Sequence, residues 1–408
     1  MKAAFCVSTD SEVYLANTVA DYFKTKGVDC TFYVFDHKGK YILSKDHLSG
    51  ITGYKVLKSS KTKFFQIGGR QVKEFKFDFV FLFLSGPVVF EFLDRFVENY
   101  STLLRTKRIK KRPILVSGIP GLEIAGIAAP YLYRSGADVY FINSSKSLSL
   151  YKKAVCKADK SFYVNENNVF VTGLPTWDIH VRNARSDRVH RRKNDEVTNV
   201  LFAGQNAFPN NLFDRTYLIR KLIEYCEARP DVTLNFKPRN PIGVDSGHPV
   251  LWHEEKIIKG LTGKNRKSLP RNFKLTYEPI SKLLDETDLC LTISSTVMAE
   301  AILRNIPVGI IKDPRLKQRS YGYWYFEKSG LFINFKQLRD GTIPTLDSEW
   351  ASENLKADGM NCDNLYEYCM RAHHEQDFRG EIKPFNMHEL YQTQKYIFKQ
   401  KLKKLKKS

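Results

Sequence analysis

The chain has 408 residues, 42% hydrophobic and 27% charged, with 65 Lys and Arg against 44 Asp and Glu for a formal net charge of +21. That length exceeds what one core usually supports and points to about two or three domains, while the composition excludes disordered, collagen-like and disulfide-stapled classes. The positive field favours an anionic partner, whether nucleic acid, an anionic membrane surface or a phosphorylated substrate. No helix-turn-helix, zinc-finger, RRM or KH pattern accompanies it, which argues against specific nucleic-acid binding.

Cys6, Cys30, Cys156, Cys226, Cys290, Cys362 and Cys369 stand singly, without the paired spacing of a zinc site or redox motif. They read as the free thiols of a reducing compartment. The apolar run after Lys2 is too short for a signal peptide, and no stretch reaches the roughly 18 uncharged apolar residues of a membrane span. A cytoplasmic location is expected.

In chain order, "KAAFCVS" predicts a strand, and Val13, Ala16, Val19, Ala20 and Phe23 recur at helical spacing over about residues 11–26. "CTFYVFD" predicts a second strand, and "YILSKDHLSGITGY" reads as a smaller helix. "FDFVFLFLSG" and "RPILVSGIPG" are near-continuous apolar runs, the pattern of strands buried on both faces of a parallel sheet. "ADVYFINSS" and "NVFVTGLP" add two more strands.

Residues 181–199 then turn polar and basic, as a solvated linker does. A second series follows: "NVLFAGQN", a helix near 214–228, "VTLNFKPRNP", "FKLTYEP", a helix near 280–286, "LCLTISS", a helix from Val297, "PVGIIKD" and "GLFINF". Such alternation implies parallel sheets with right-handed crossovers, here two of them. The expected division is an N-terminal domain over 1–185, a basic linker over 186–198, a second domain over 199–375 and a C-terminal helix over 376–408. In that last stretch Leu390, Tyr391, Ile397, Phe398, Leu402 and Leu405 share a face among many lysines. This is the pattern of a basic amphipathic helix on an anionic membrane surface, expected for residues 388–408; the alternative is a helix packed on the domains.

Ligands of open parallel sheets sit beyond the carboxyl ends of the strands. In the second half that rule selects Gly204 and Gln205, Lys237 and Arg239, Glu278 and Pro279, and Ser294, Ser295 and Thr296, with Glu300 in the first turn of the next helix. Lys237 and Arg239 suit a phosphate or sugar carboxylate. The Ser-Ser-Thr turn offers hydroxyls and a helix start to an anion, or serves only as a cap. In the first half the rule selects Asp10 and Glu12, then Ser85 and Gly86, then Gly118, Pro120, Gly121 and Glu123. Asp10 and Glu123 are the candidate base or nucleophile, and the loop residue His248 is a third catalytic candidate; Asp10 as a helix cap and Glu123 as a first-turn acid are the alternatives. No cluster of His, Cys and carboxylates has metal-ligand spacing, so no metal or other cofactor is expected.

The order "VLFAGQ", "KPRNP", "YEP", "SSTVMAEAILRNIPVGI" resembles the donor half of GT-B glycosyltransferases that use CMP-activated sugars, including sialyl- and Kdo-transferases. "RPILVSGIPGLEIAGIAAPYLYRSGADVYFINSSKSL" resembles a bacterial glycosyltransferase family of uncharacterised members. The resemblance implies an α/β fold of the GT-B type, two Rossmann-like domains with parallel sheets facing a central cleft. It also implies transfer from a nucleotide sugar, most simply CMP-Kdo or another CMP-ulosonic acid, to a surface polysaccharide or lipid-linked glycan. Arg239 stands where the family pattern has His. A nucleotide-sugar 2-epimerase and a non-enzymatic basic binding module are the competing expectations.

Overall fold

The computed structural model describes residues 1–36, 43, 51, 53–60, 77–93, 96, 113–122, 129–157, 168–187, 197–206, 208–244, 252–262, 268–316 and 322–376. The chain forms two compact units, the first of residues 1–123, 127–176 and 360–408, the second of 124–126 and 177–359. The second unit therefore opens at Trp177, ahead of the expected boundary at 185, and residues 360–375 join the first unit. The helix Asn361–Gln376 shows why: its aromatic face is spent on the first unit, with Tyr366 edge-on to Phe23 of the helix Asp10–Thr25 at 5.1 Å and Tyr368 stacked on Phe170 of the sheet at 4.0 Å. The expected linker core at 188–196 and the C-terminal helix lie outside the described residues.

In the first unit seven parallel strands run in the order β3-β2-β1-β4-β5-β6-β7. They are β1 (Lys2–Val7), β2 (Asp29–Asp36), β3 (Lys55–Ser60), β4 (Phe79–Phe83), β5 (Ile114–Gly118), β6 (Val139–Ile142) and β7 (Val169–Val171). β4, β5 and β6 are buried along their whole length, as two-sided parallel strands must be. The register sets Phe5 between Phe32 and Phe81, and these rings stack at 5.3 and 4.4 Å. Helix α1 (Asp10–Thr25) buries Val13, Leu15, Ala16, Val19, Ala20 and Phe23. A later helix, α2 (Ser145–Lys157), follows β6. β3 has no counterpart among the predicted elements: "KVLKSS" has only Val56 and Leu57 as apolar residues, too short a run to mark a strand, and the ladder to β2 from Thr31↔Lys55 to Asp36↔Ser60 holds it at the sheet edge.

In the second unit six parallel strands run β10-β9-β8-β11-β12-β13. They are β8 (Asn199–Ala203), β9 (Thr233–Lys237), β10 (Phe273–Leu275), β11 (Leu289–Thr292), β12 (Val308–Ile311) and β13 (Phe332–Ile333). The helices used below are α3 (Trp177–Asp187), α4 (Leu212–Ala228), α5 (Glu254–Leu261), α6 (Ile280–Glu286) and α7 (Val297–Leu303). Leu218, Ile219 and Leu222 of α4 join Val200, Phe202, Leu234, Phe236 and Leu291 in one core. Both units are Rossmann-like. Strand order reverses beside β1 and β4 in the first sheet and beside β8 and β11 in the second, and such switch points open the ligand crevice at the carboxyl edge.

Candidate functional site

At the switch point of the second sheet, β8 runs into Gly204 and Gln205 while β11 runs into Ser294 and Ser295. Gln205 spans the two: its Oε1 accepts from the Ser294 N–H at 3.2 Å and from the Ser294 hydroxyl at 3.1 Å. Below it the Thr292 hydroxyl donates to Ala203 O at 3.0 Å and accepts the Ser295 N–H at 3.1 Å, so the turn after β11 is tied to the end of β8. Ser295 Oγ accepts the Val297 N–H at 3.3 Å, which makes Ser295 the residue that satisfies the start of α7. Thr296 takes helical dihedrals and makes no cap bond with its side chain.

Gly204 is closely approached by the end of β9. Its N–H donates to Lys237 O at 2.8 Å, and a Cβ there would meet that oxygen at 3.0 Å and Pro238 Cα at 3.3 Å. Lys237 is half-buried, and burial together with the Arg239 charge lowers its pKa. Arg239 is exposed and acts electrostatically on Glu300. Glu278 and Pro279 follow the edge strand β10, two strands from the switch point; Glu278 is exposed and paired with Lys282 at 3.0 Å, and Pro279 opens α6.

Glu300 is the electrostatic centre of the group. Its side chain is 18% exposed, and burial pushes its pKa up to about 7, with Arg304 and Arg239 opposing. His180, on α3 and 2% exposed, places Nε2 at 3.5 Å from Glu300 Oε2. Burial and the Arg304 charge hold the imidazole down to about 4, so it is neutral near pH 7. Arg304 Nε donates to His180 Nδ1 at 3.0 Å, and its Nη1 donates to Ser281 O at 3.2 Å and to the Asp285 carboxylate.

Other residues that order the site have no motif. Arg215, buried on α4, donates to the carbonyls of Gln205 (3.2 Å), Asn206 (2.9 Å) and Pro209 (2.7 Å) and pairs with Glu254 at 2.6 Å. It therefore draws the carbonyls of Gln205, Asn206 and Pro209 after β8 towards α4. The loop after β9 is closed by His253: Nδ1 accepts the Glu255 N–H at 3.2 Å, leaving Nε2–H to donate to Asn240 O at 2.9 Å. His248, the candidate predicted for this loop, lies outside the described residues.

The first sheet has its own switch point. Thr9 is the cap of α1, and Asp10 is its first helical residue. Buried Glu12 holds the turn, accepting from the N–H groups of Ser8 and Thr9 at 2.7 and 2.8 Å and from the Ser8 hydroxyl at 2.7 Å. Across the crevice Ser85 is exposed and Gly86 buried. A Cβ on Gly86 would lie 2.6 Å from the Tyr133 ring, and one on Gly118 would lie 2.2 Å from the Phe141 ring, so packing demands both glycines. Arg134 links these ends by donating to Leu84 O at 2.8 Å and Gly118 O at 3.1 Å. Pro120 and Gly121 follow β5, where Asn143 donates to Gly121 O; Glu123 lies outside the described residues.

Among the described residues no group of three His, Cys, Asp or Glu side chains is placed to hold a metal ion. Among them too, no helix is long and apolar enough to cross a membrane. Cys6, Cys30, Cys226, Cys290, Cys362 and Cys369 are buried.

The fold has solved counterparts. A Listeria monocytogenes structure titled "putative UDP-N-acetylglucosamine 2-epimerase" superposes with a TM-score of 0.57 at 14% identity, covering 94% of this chain and 98% of that one. The UDP-GlcNAc 2-epimerase of Neisseria meningitidis, bound to UDP-GlcNAc, gives 0.56 at 13% identity over 91% of this chain and 100% of its own. The Methanocaldococcus jannaschii enzyme with UDP-GlcNAc and UDP gives 0.54 at 15% identity over 91% and 100%. At these identities the likeness is one of fold, the two-domain GT-B type. No curated protein matches the chain in sequence. The family described as "Putative glycosyltransferase (DUF6716)" matches residues 4–363, and the chain belongs to it.

Proposed function

We propose that the protein transfers a sugar from a nucleotide-activated donor held at the carboxyl edge of the second sheet. The observation that carries this reading is the Gln205–Ser294 bridge across the switch point, flanked by Lys237, Arg239 and Glu300. The two cations match a nucleotide phosphate, which must leave with its charge stabilised. Glu300 in its ionised form accepts hydrogen bonds from donor hydroxyls. Transfer then needs no metal, because the basic side chains do the electrostatic work. Asp10, at the switch point of the first sheet, is the proposed group for activating an acceptor hydroxyl.

The donor we favour is a CMP-linked ulosonic acid such as Kdo, whose carboxylate adds a second anion for Lys237 and Arg239; the acceptor is a surface polysaccharide or lipid-linked glycan. A second reading, a UDP-GlcNAc 2-epimerase activity, is supported by the fold likeness to the Listeria, Neisseria and Methanocaldococcus structures. Calorimetric titration with CMP, UDP and GDP, followed by incubation with the matching sugar nucleotide, separates these readings. Stabilisation by a nucleotide and product only with an acceptor supports transfer. Conversion of UDP-GlcNAc without any acceptor supports epimerisation, and binding of none of the three nucleotides overturns both.

A further inference from the structure

His180 is not part of any strand-end motif, yet it stands against Glu300, the carboxylate on which Arg239 acts. Arg304 Nε donates to His180 Nδ1 at 3.0 Å. An arginine only donates, so Nδ1 must accept and the single proton of the neutral ring sits on Nε2. That Nε2 is buried, has no hydrogen-bond partner within bonding distance and faces Glu300 Oε2 at 3.5 Å. Arg304 in turn is fixed from α6 by Ser281 O and Asp285. The result is a relay that starts at Arg304, which donates both to Asp285 on α6 and to His180 on α3, and ends with the His180 Nε2–H facing Glu300 on α7.

The charged and titratable groups facing Glu300 are Arg304 on its own helix, His180 from α3, Arg239 from the loop after β9 and the Cys290 thiol of β11. Arg239 is exposed, and Cys290 is buried in the sheet. His180 is the one neutral N–H donor behind the carboxylate among these four. A ligand hydroxyl approaching the other carboxylate oxygen requires Glu300 to be ionised and held in one rotamer, and a fixed donor behind it favours both.

We infer that His180 is a positioning residue: with its tautomer set by Arg304, its Nε2–H holds the Glu300 carboxylate in the orientation in which it meets the nucleotide sugar. This rests on the donor reading above, in which Glu300 faces the ligand.

The test uses the full chain with His180→Leu, which removes the donor, and His180→Gln, which returns an N–H near the Nε2 position. Affinity for CMP and UDP is measured by calorimetry from pH 5.5 to 8.5, with folding checked by tryptophan fluorescence. His180→Leu should lose about tenfold in affinity and move the midpoint of the pH profile upwards, and His180→Gln should restore most of both. In a Glu300→Gln background His180→Leu should cost nothing further. Equal losses in the Leu and Gln variants, an unmoved pH midpoint, or an undiminished cost of His180→Leu beside Glu300→Gln would overturn the inference. If the wild type binds neither nucleotide, the donor reading fails, and the relay is judged on carboxyl-carbon NMR titration of Glu300. There an upward move in His180→Leu that His180→Gln reverses supports it, and identical titrations refute it.

Discussion

The His180–Glu300 pair makes a stability prediction in which two pH dependences of opposite sign cancel. His180 falls from 6.5 to about 4 on folding, so between those pH values the unfolded chain binds more protons and stability rises with pH. Its contribution is present above pH 6.5 and lost as pH falls towards 4. Glu300 rises from 4.5 to about 7, so the native state binds more protons and stability falls as pH rises through that window. At about 1.4 kcal/mol per pH unit each displacement is worth about 3 kcal/mol, with opposite sign. Their sum should leave the pair nearly silent between roughly pH 4.5 and 6.5. Removing either partner unmasks the other: relative to wild type, Glu300→Gln should gain stability with pH and His180→Leu should lose it. Urea unfolding followed by tryptophan fluorescence reads this selectively, because Trp177, Trp252, Trp324 and Trp350 all fall within residues 177–359. Differences from wild type that slope the same way in both variants would refute the reasoning.

Arg215→Met should destabilise the second unit by about 3–5 kcal/mol, because it strands the buried Glu254 carboxylate and frees three carbonyls; burial already raises the Glu254 pKa, so the loss should shrink as pH is lowered, measured by the same fluorescence. Gln205→Ala and Ser294→Ala, combined in a double-mutant cycle, should show a coupling of about 0.5–1.5 kcal/mol in stability, and zero coupling would mean that their bond is not formed in solution. Gly204→Ala forces β8 away from Lys237 O and should cost about 1–3 kcal/mol, together with nucleotide affinity, both read by thermal shift with and without ligand. Asn361→Ala removes a fully buried side chain that donates to Leu174 O at 3.1 Å; the expected loss of about 1–3 kcal/mol should appear in hydrogen exchange of the first unit and leave tryptophan fluorescence unchanged.

Sequence reading succeeded where a local pattern had a single physical cause. "FDFVFLFLSG" is apolar on both faces because β4 sits between β1 and β5, and no surface strand or loop tolerates such a run. That Gln205 and Ser294 follow the ends of adjacent strands was legible because parallel topology fixes where such ends fall, whatever the side chains. β3 was missed because an edge strand is held largely by its backbone ladder, and Val56 and Leu57 alone make too short an apolar run to mark it. The unit boundary was misplaced because "VRNARSD" looks like linker, although it continues the helix that carries His180. Arg215 and Arg304 were illegible for another reason: their partners Glu254 and His180 lie 39 and 124 positions away, and nothing local marks an arginine destined for burial.

The return of residues 360–376 to the first unit sets an order of events during synthesis. Residues 177–359 are contiguous and can close their core as soon as they leave the ribosome. The first unit, although begun earlier, waits for the helix Asn361–Gln376 to cover Phe23, Phe79 and Phe170 with Tyr366, His373 and Tyr368. A chain stalled or cleaved before Met360 thus carries a finished second unit beside a first one with an open aromatic face, the kind of surface that chaperones and proteases recognise.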